Sequence, residues 1–488
     1  MKIFAFFTLL FTLPLQISSV SYNYSYYNEV IHSAPGMTFA AYFNAQTLGT
    51  TLSTPEDMVV FDDHIYMLDS TENAIVVVNP QFELVEVVKD FPFTQAFLDK
   101  QEPGFAEAST TLNGAFGLEV TNNAIYVADT GNKRIVKLNR DYEVIDVFDT
   151  IDDPTFEELN FEPIKITVDA TERMYVIAKN VYEGIIELSS NGDFNRFTGV
   201  NPIQMTPYEI FRRNMMTEAQ LAQLKLFLPT EYTNVVLNPE SFIYATSKPS
   251  ENNAKNTIQL INPKGIDVIK KRGYFPPMGD IHYLEAGNKY VVTGPSLLQD
   301  IAYTEHGIYT VLDQKRSRLF TYDNEGNLLY INSAEGQQSD KFTEGVAVAY
   351  LNDDIMVLDR KTRTVIVYRL TDFGRSVNQA VSLQDEGLFD EAAQIWREVL
   401  VLNTNYEVSY NGIGKYLLRQ GEYKEAMAYF KLGHDDFYYS KAFKGYRNEI
   451  LRENFGWIMG GTVALAGLFV YIKIRKTIRS GGHVLYED

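Results

Sequence analysis

The chain has 488 residues, and its 45% hydrophobic and 13% aromatic content suffices for several packed cores. With 43 Lys and Arg against 63 Asp and Glu, the formal net charge is −20. That excess of acid argues against nucleic acid as a partner, because phosphate binding needs clustered cations. There is no cysteine, which excludes disulfides, zinc–thiolate sites and cysteine nucleophiles.

The chain opens with Lys2, an apolar run from Ile3 to Leu15, and small residues at Ser19 and Ser21. This is the pattern of a secretory leader over residues 1–21, with cleavage after Ser21; an uncleaved N-terminal anchor fits the same pattern. The sequon Asn23-Tyr24-Ser25 follows too closely to carry weight.

The stretch Ile125–Phe148 reads as strand, polar turn, strand, turn, strand. Its turn cluster is Asp129-Thr130-Gly131-Asn132, where Gly131 and Asn132 can take positive φ. Related units begin at Asp57, Gly117, Lys165, Asn234, Asp300 and Gly345. Tyr66, Tyr126, Tyr175 and Tyr244 occupy one place in the unit, with Thr310 and Met356 there later. Units of this length, each of four short strands, are propeller blades. The motif Asp129, Gly131, Asn132, Arg134 resembles the NHL-repeat family, and Asp69, Asp313 and Asp359 keep its turn aspartate. Ala178 and Ser247 stand at or near that place in blades three and four. The resemblance implies an all-β six-bladed propeller over residues 36–372. Phe39–Phe43 is expected to supply the outer strand of blade six and so close the ring. Pro207–Pro229 reads as a helical insertion, either capping one propeller face or packing on blade edges.

Periodicity switches near Asp372. Gly387, Ala392 and Trp396 recur 34 residues later as Gly421, Ala426 and Phe430. This resembles the tetratricopeptide repeat and implies an α-helical domain over 373–454, either a peptide-binding groove or a rigid stalk. Phe455–Ile472 has 18 uncharged residues, with Trp457 and Tyr471 near its ends, and reads as a transmembrane helix. Exported by its leader, such a chain would leave residues 473–488 in the cytoplasm.

No Gly-x-Ser-x-Gly elbow, P-loop or HExxH pattern occurs. The innermost strands open with Glu56-Asp57, Phe116-Gly117, Ile164-Lys165, Thr233-Asn234, Gln299-Asp300 and Glu344-Gly345. Carboxylates with an amide can hold a hard divalent cation such as calcium. Such a set resembles that of gluconolactonase-type (regucalcin-like) propellers, which by blade order would assign the metal to Glu56, Asn234 and Asp300. Two functions are therefore in view. One is a membrane-tethered extracytoplasmic binding scaffold. The tail resembles that of propeller proteins from Gram-positive bacteria, which implies a sugar-type ABC transporter as partner. The other is a metal-dependent lactone or sugar-derivative hydrolase.

Overall fold

The computed structural model describes residues 21–100, 110–151, 153, 156, 161–199, 215–216, 231–249, 255–281 and 294–481. The expected leader up to residue 20 and the expected 207–229 insertion, apart from 215 and 216, lie outside them. The chain divides into two compact units after Glu386.

The first unit is a six-bladed propeller. A hairpin of β1 (Tyr22–Tyr24) and β2 (Val30–His32) precedes β3 (Met37–Asn44). Blade 1 is β4 (Pro55–Phe61), β5 (His64–Asp69), β6 (Ala74–Val78) and β7 (Leu84–Val88). Blade 2 is β8 (Gly117–Val120), β9 (Ile125–Asp129), β10 (Arg134–Leu138) and β11 (Val144–Phe148). Blade 3 is β12 (Pro163–Val168), β13 (Met174–Ala178), β14 (Ile185–Leu188) and β15 (Phe194–Thr198). Blade 4 has β16 (Tyr232–Leu237), β17 (Ile243–Ser247) and β18 (Ile258–Ile261). Its edge is extended by an Ile261–Asp267 bridge. Blade 5 is β19 (Leu298–Tyr303), β20 (Tyr309–Asp313), β21 (Arg318–Tyr322) and β22 (Leu328–Asn332). Blade 6 takes β23 (Gly345–Leu351), β24 (Asp354–Asp359) and β25 (Thr364–Leu370), and β3 is its fourth strand. The pairing of β3 with β25 runs from Met37–Leu370 to Asn44–Thr364, as the Phe39–Phe43 run predicts. The innermost strands neighbour one another in the cycle β4, β8, β12, β16, β19, β23 and back to β4.

Because each middle strand is covered on both faces, strands such as β6 (AIVVV) are continuously apolar rather than alternating. The cores lie between successive blades. Met58, Met67 and Val76 of blade 1 meet Ala347, Met356 and Val365 of blade 6 together with Phe43. Tyr22 and Tyr24 join the core between blades 4 and 5. Asn23 is buried, and its amide donates to the Leu329 carbonyl (3.3 Å), so the sequon amide is already engaged.

Two local devices repeat. At the turn between the third and fourth strands, Asn79, Asn139, Asn262 and Asp323 each accept two backbone N–H groups through one side-chain oxygen. The residue three further on, whether Phe82, Tyr142, Gly265 or Gly326, takes the left-handed conformation. At the end of the second strand stands the fully buried aspartate. Asp69 accepts from the amides of Ser53, Thr54, Thr71 and Glu72. Asp313 and Asp359 accept equivalent bonds from Leu297 and Lys315, and from Thr343 and Lys361. Asp129 accepts from the Asn113 amide, Asn132 Nδ2 and Arg134 Nε at 2.7–2.8 Å. Each carboxylate thus ties its turn to the loop entering its own blade. The blade 2 turn differs in one respect from the sequence expectation. Residues Thr130–Asn132 form a 3-10 turn, and Lys133 carries the positive φ. Gly131 is required for closeness instead, since a Cβ there would lie 2.4 Å from the Asn113 carbonyl.

Among the described residues, two one-turn helices, α1 (Ala45–Leu48) and α2 (Gln95–Leu98), are followed by the longer α3 (Asp372–Asp385). Thr371 caps α3 by accepting from Gly374, and its own amide donates to Gly36. A Cβ at Gly374 would sit 1.9 Å from the Gly36 carbonyl. Although the switch in periodicity falls at Asp372, α3 groups with the propeller.

The second unit holds α4 (Phe389–Leu402), α5 (Glu407–Gln420), α6 (Tyr423–Leu432), α7 (Asp436–Glu453) and α8 (Phe455–Gly481). Helices α4 to α7 pack each on the next. Ala392, Trp396, Ala426 and Phe430 are buried. Gly412 faces Trp396 and Gly414 faces Phe430, at distances that admit no side chain. Gly387 and Gly421 take positive φ at the turns before α4 and α6. Helix α8 is long and apolar enough to cross a membrane, with an 18-residue window inside Phe455–Arg479 of mean hydropathy 1.8 and none of that window buried.

Replacing Asp129 by Ala removes the acceptor of the Asn113 amide and the carboxylate that faces the Arg134 guanidinium. We expect a loss of about 3–4 kcal/mol in propeller stability. Both tryptophans, Trp396 and Trp457, lie in the second unit. The β-sheet circular dichroism transition of the full-length protein should therefore drop while Trp emission does not follow. A parallel fall of both signals would contradict this assignment.

Candidate functional site

A β-bulge opens the innermost strands β4, β12, β16, β19 and β23. The residue after the bulge pairs one position before the end of the neighbouring strand. Asp57 faces Leu68, Lys165 faces Ile177, Asn234 faces Thr246, Asp300 faces Leu312 and Ala347 faces Leu358. In blade 2, Gly117 faces Ala128. These six equivalent positions form one ring around the axis, occupied by two acids, one base, one amide and two small residues.

The four polar members are buried and bonded to one another or to the next blade. Lys165 Nζ lies 2.7 Å from Asp57 Oδ1 across the channel. Asn234 Nδ2 donates to Asp300 Oδ1. Asp57 Oδ2 accepts from the Leu118 amide of blade 2 at 2.9 Å, and Asp300 Oδ2 from the Val348 amide of blade 6 at 2.6 Å. Each acid also accepts from the amide that follows it, Met58 and Ile301. Both carboxylates thus join one blade's inner strand to its neighbour's.

Loss of solvent drives the titration of the site. Burial pushes Asp300 up to about 7, with Lys165 opposing and Asp57 adding to the shift. Burial also disfavours the Lys165 ammonium, but Asp57, Asp300 and Glu56 outweigh it and hold the amine above its ordinary range. Two residues beyond the ring, the equivalent positions are Val59, Glu119, Thr167, Val236, Ala302 and Ala349. Glu119 is the one acid among them, and burial pushes its carboxyl up to about 8. Together these strands line a cavity of about 240 Å³ that reaches Tyr303 and Tyr350. Its base is a salt-bridged Lys–Asp pair, and above it stands a carboxyl that keeps its proton at neutral pH.

The residues expected to hold a metal separate here. Asn234 and Asp300 are in contact, but Glu56 is drawn elsewhere. Its carboxylate lies 2.8 Å from Arg360 and accepts from Ser70, and Glu56 is not among the residues lining the cavity. The strand-entry bulge sets the difference, because a one-residue shift turns a side chain to the other face. The residue level with Asn234 and Asp300 is Asp57, and Lys165 already neutralises it. Among the described residues, no three His, Cys, Asp or Glu side chains group in a way that could hold a metal. Sequence reasoning passed over Glu119; its place two residues after Gly117 was the available signal.

No protein-family model matches the chain, and no curated protein matches it. Solved structures resemble it. A streptogramin B lyase is 14% identical with a TM-score of 0.37, covering 70% of this chain and 90% of that one. A catalytically inactive virginiamycin B lyase from Staphylococcus aureus, with quinupristin, is 11% identical with a TM-score of 0.36, covering 68% and 88%. A protein of unknown function from Bacteroides thetaiotaomicron is 8% identical with a TM-score of 0.40, covering 70% and 78%. At these values the likeness says nothing about chemistry.

Two outcomes follow from the electrostatics. Glu119 and Asp300 have folded pKa values above their unfolded ones, so the folded state holds protons that the unfolded state releases. The stability these groups contribute is full at low pH. It is lost as pH rises, to about 8 for Glu119 and about 7 for Asp300. Because Glu119 keeps some contact with the cavity, Glu119→Gln should gain about 1–3 kcal/mol over the parent at pH 9 and little at pH 5. Urea melts at the two pH values measure this, and a gain independent of pH would refute it. Lys165→Met leaves Asp57 uncompensated and should lose about 3–5 kcal/mol, much of it restored in Lys165→Met with Asp57→Asn.

Proposed function

We propose that this chain is a membrane-tethered binding protein whose propeller and helical repeats face the extracytoplasmic side. The observation that supports this best is the fate of the channel residues. Asp57, Lys165, Asn234 and Asp300 spend their hydrogen-bonding capacity on each other and on the neighbouring blades. Groups so engaged hold a ring together; a reacting group needs an open valence toward its substrate. In this reading the blades are of NHL type, and residues 373–454 are of tetratricopeptide type, two repeats followed by the helix α7. The leader exports the chain, α8 anchors it, and Lys473, Arg475, Lys476 and Arg479 mark the cytoplasmic end. The partner is a protein, and the resemblance in the tail suggests a sugar-type ABC transporter.

The contact between Asn234 and Asp300 favours a second reading, a divalent cation at the channel serving lactone hydrolysis, with water activation supplied by the ion. The residues present fit this poorly, since Lys165 places a positive charge among the would-be ligands. Thermal melting of the full-length protein in detergent, with calcium or with chelator, separates the two. The binding reading expects no calcium-dependent shift. A rise of several degrees that is lost in Asp300→Ala would transfer the site to the hydrolase reading.

A further inference from the structure

Helix α7 joins the folded helices to the membrane-competent α8, with Asn454 alone between them. Its inner side is set by Ala442, fully buried, and by Gly445, where a Cβ would lie 2.5 Å from the Tyr423 ring. That side packs on α6. Helical geometry assigns the remaining residues to sides. Glu449 and Glu453 follow Ala442 by seven and eleven residues and so share its side, while Asp436 stands in the first turn. The outer side carries two adjoining stripes. One is Phe437, Lys441, Lys444 and Leu451; the other is Phe443, Arg447 and Ile450.

All seven are exposed, and the four apolar ones show 39–48% of their surface. Lys441 sits 4.4 Å from the Phe437 ring centroid, so ammonium and aromatic ring form one patch. Lys444 and Arg447 make no ion pair with an acid among the described residues. In a chain of net charge −20, this face is apolar and net cationic, with three bases against one acid, Asp436, which precedes Phe443 by seven residues and so shares its stripe. Alternation of bulky apolar and basic side chains on an exposed helix suits a bilayer interface, where rings enter the acyl boundary and amines reach phosphate. Chain continuity places it there, since α7 is about 27 Å long and its end enters the span.

We propose that α7 is an interfacial helix lying on the bilayer that α8 crosses. Lys441, Lys444 and Arg447 bind headgroups of anionic phospholipids, and Phe437, Phe443, Ile450 and Leu451 enter the acyl boundary. The inference rests on the reading of α8 as a membrane span.

The absence of cysteine makes the test direct, because any introduced thiol is unique. Full-length protein carrying Phe443→Cys, Leu465→Cys or Gln81→Cys is labelled with a polarity-sensitive dye. Each is reconstituted into nanodiscs of phosphatidylcholine alone or with phosphatidylglycerol. The Leu465 site should report hydrocarbon in both lipids, and the Gln81 site water. The Phe443 site should brighten and shift to the blue, with emission about twofold higher in the anionic lipid. Lys441→Gln, Lys444→Gln and Arg447→Gln together should abolish that dependence on lipid charge. Water-like emission at 443 with an apolar signal at 465 would overturn the proposal and leave the span intact. An apolar signal at 443 indifferent to lipid charge and to the triple substitution would overturn headgroup binding. Shielding that arises only when native membrane proteins are added would assign the face to a protein and also overturn it. A water-like signal at 465 would mean that the span reading itself had failed.

Discussion

A ring of six sheets is stable only if it has no open seam, and in this chain the seam is closed by β3. Strand β3 comes before blade 1 in sequence and pairs along its whole length with β25 at the far end of the propeller. That pairing spans more than 300 residues of chain, and the core between blades 6 and 1 depends on it through Phe43, which is 1% exposed. The edge of β25 would otherwise present unpaired amides and carbonyls to other chains. Local devices make the closure achievable. Buried aspartates fix where each blade begins, and side-chain-capped turns fix where its outer strand starts. Each blade therefore reaches the ring with its register already set.

At the axis the same requirement produces the polar ring. Six inner strands converge where side chains cannot all be apolar and still satisfy the strand amides at the bulges. Asp57 and Asp300 answer this by accepting from the next blade, and the Lys165 ammonium lies against Asp57. The result is a sealed, charge-balanced floor with a small cavity above it. Burial pushes the carboxyls of Glu119 and Asp300 above the usual carboxylate range.

The helical unit solves a different packing problem. Gly412 and Gly414 on α5 let the large rings of Trp396 and Phe430 approach the backbone, so a few short helices bury two aromatic anchors. The last of these helices carries an exposed basic and apolar face just before a helix whose first 18 residues are uncharged.

The sequence by itself determined the architecture. The repeating strand units, the aspartates at Asp69, Asp129, Asp313 and Asp359, the closing run at Phe39–Phe43, the recurrence of Trp396 as Phe430 and the 18-residue apolar stretch are all local patterns, and each falls on a strand, turn or helix of the kind its pattern predicts. Local patterns survive because turn chemistry and period are set by neighbours in the chain. What the tertiary structure alone decided was the side chains' company at the axis. Whether Glu56 or Asp57 stands level with Asn234 and Asp300 depends on a bulge of one residue at the strand entry. Period-two alternation converts that single residue into opposite faces, Arg360 on one and the channel on the other. The same holds for Gly131 and Lys133, where the residue that bends the chain and the residue that must be small are different ones, separated by the approach of Asn113 from a distant loop. No spacing along the chain encodes such an approach, because it arises only when six blades are brought around one axis.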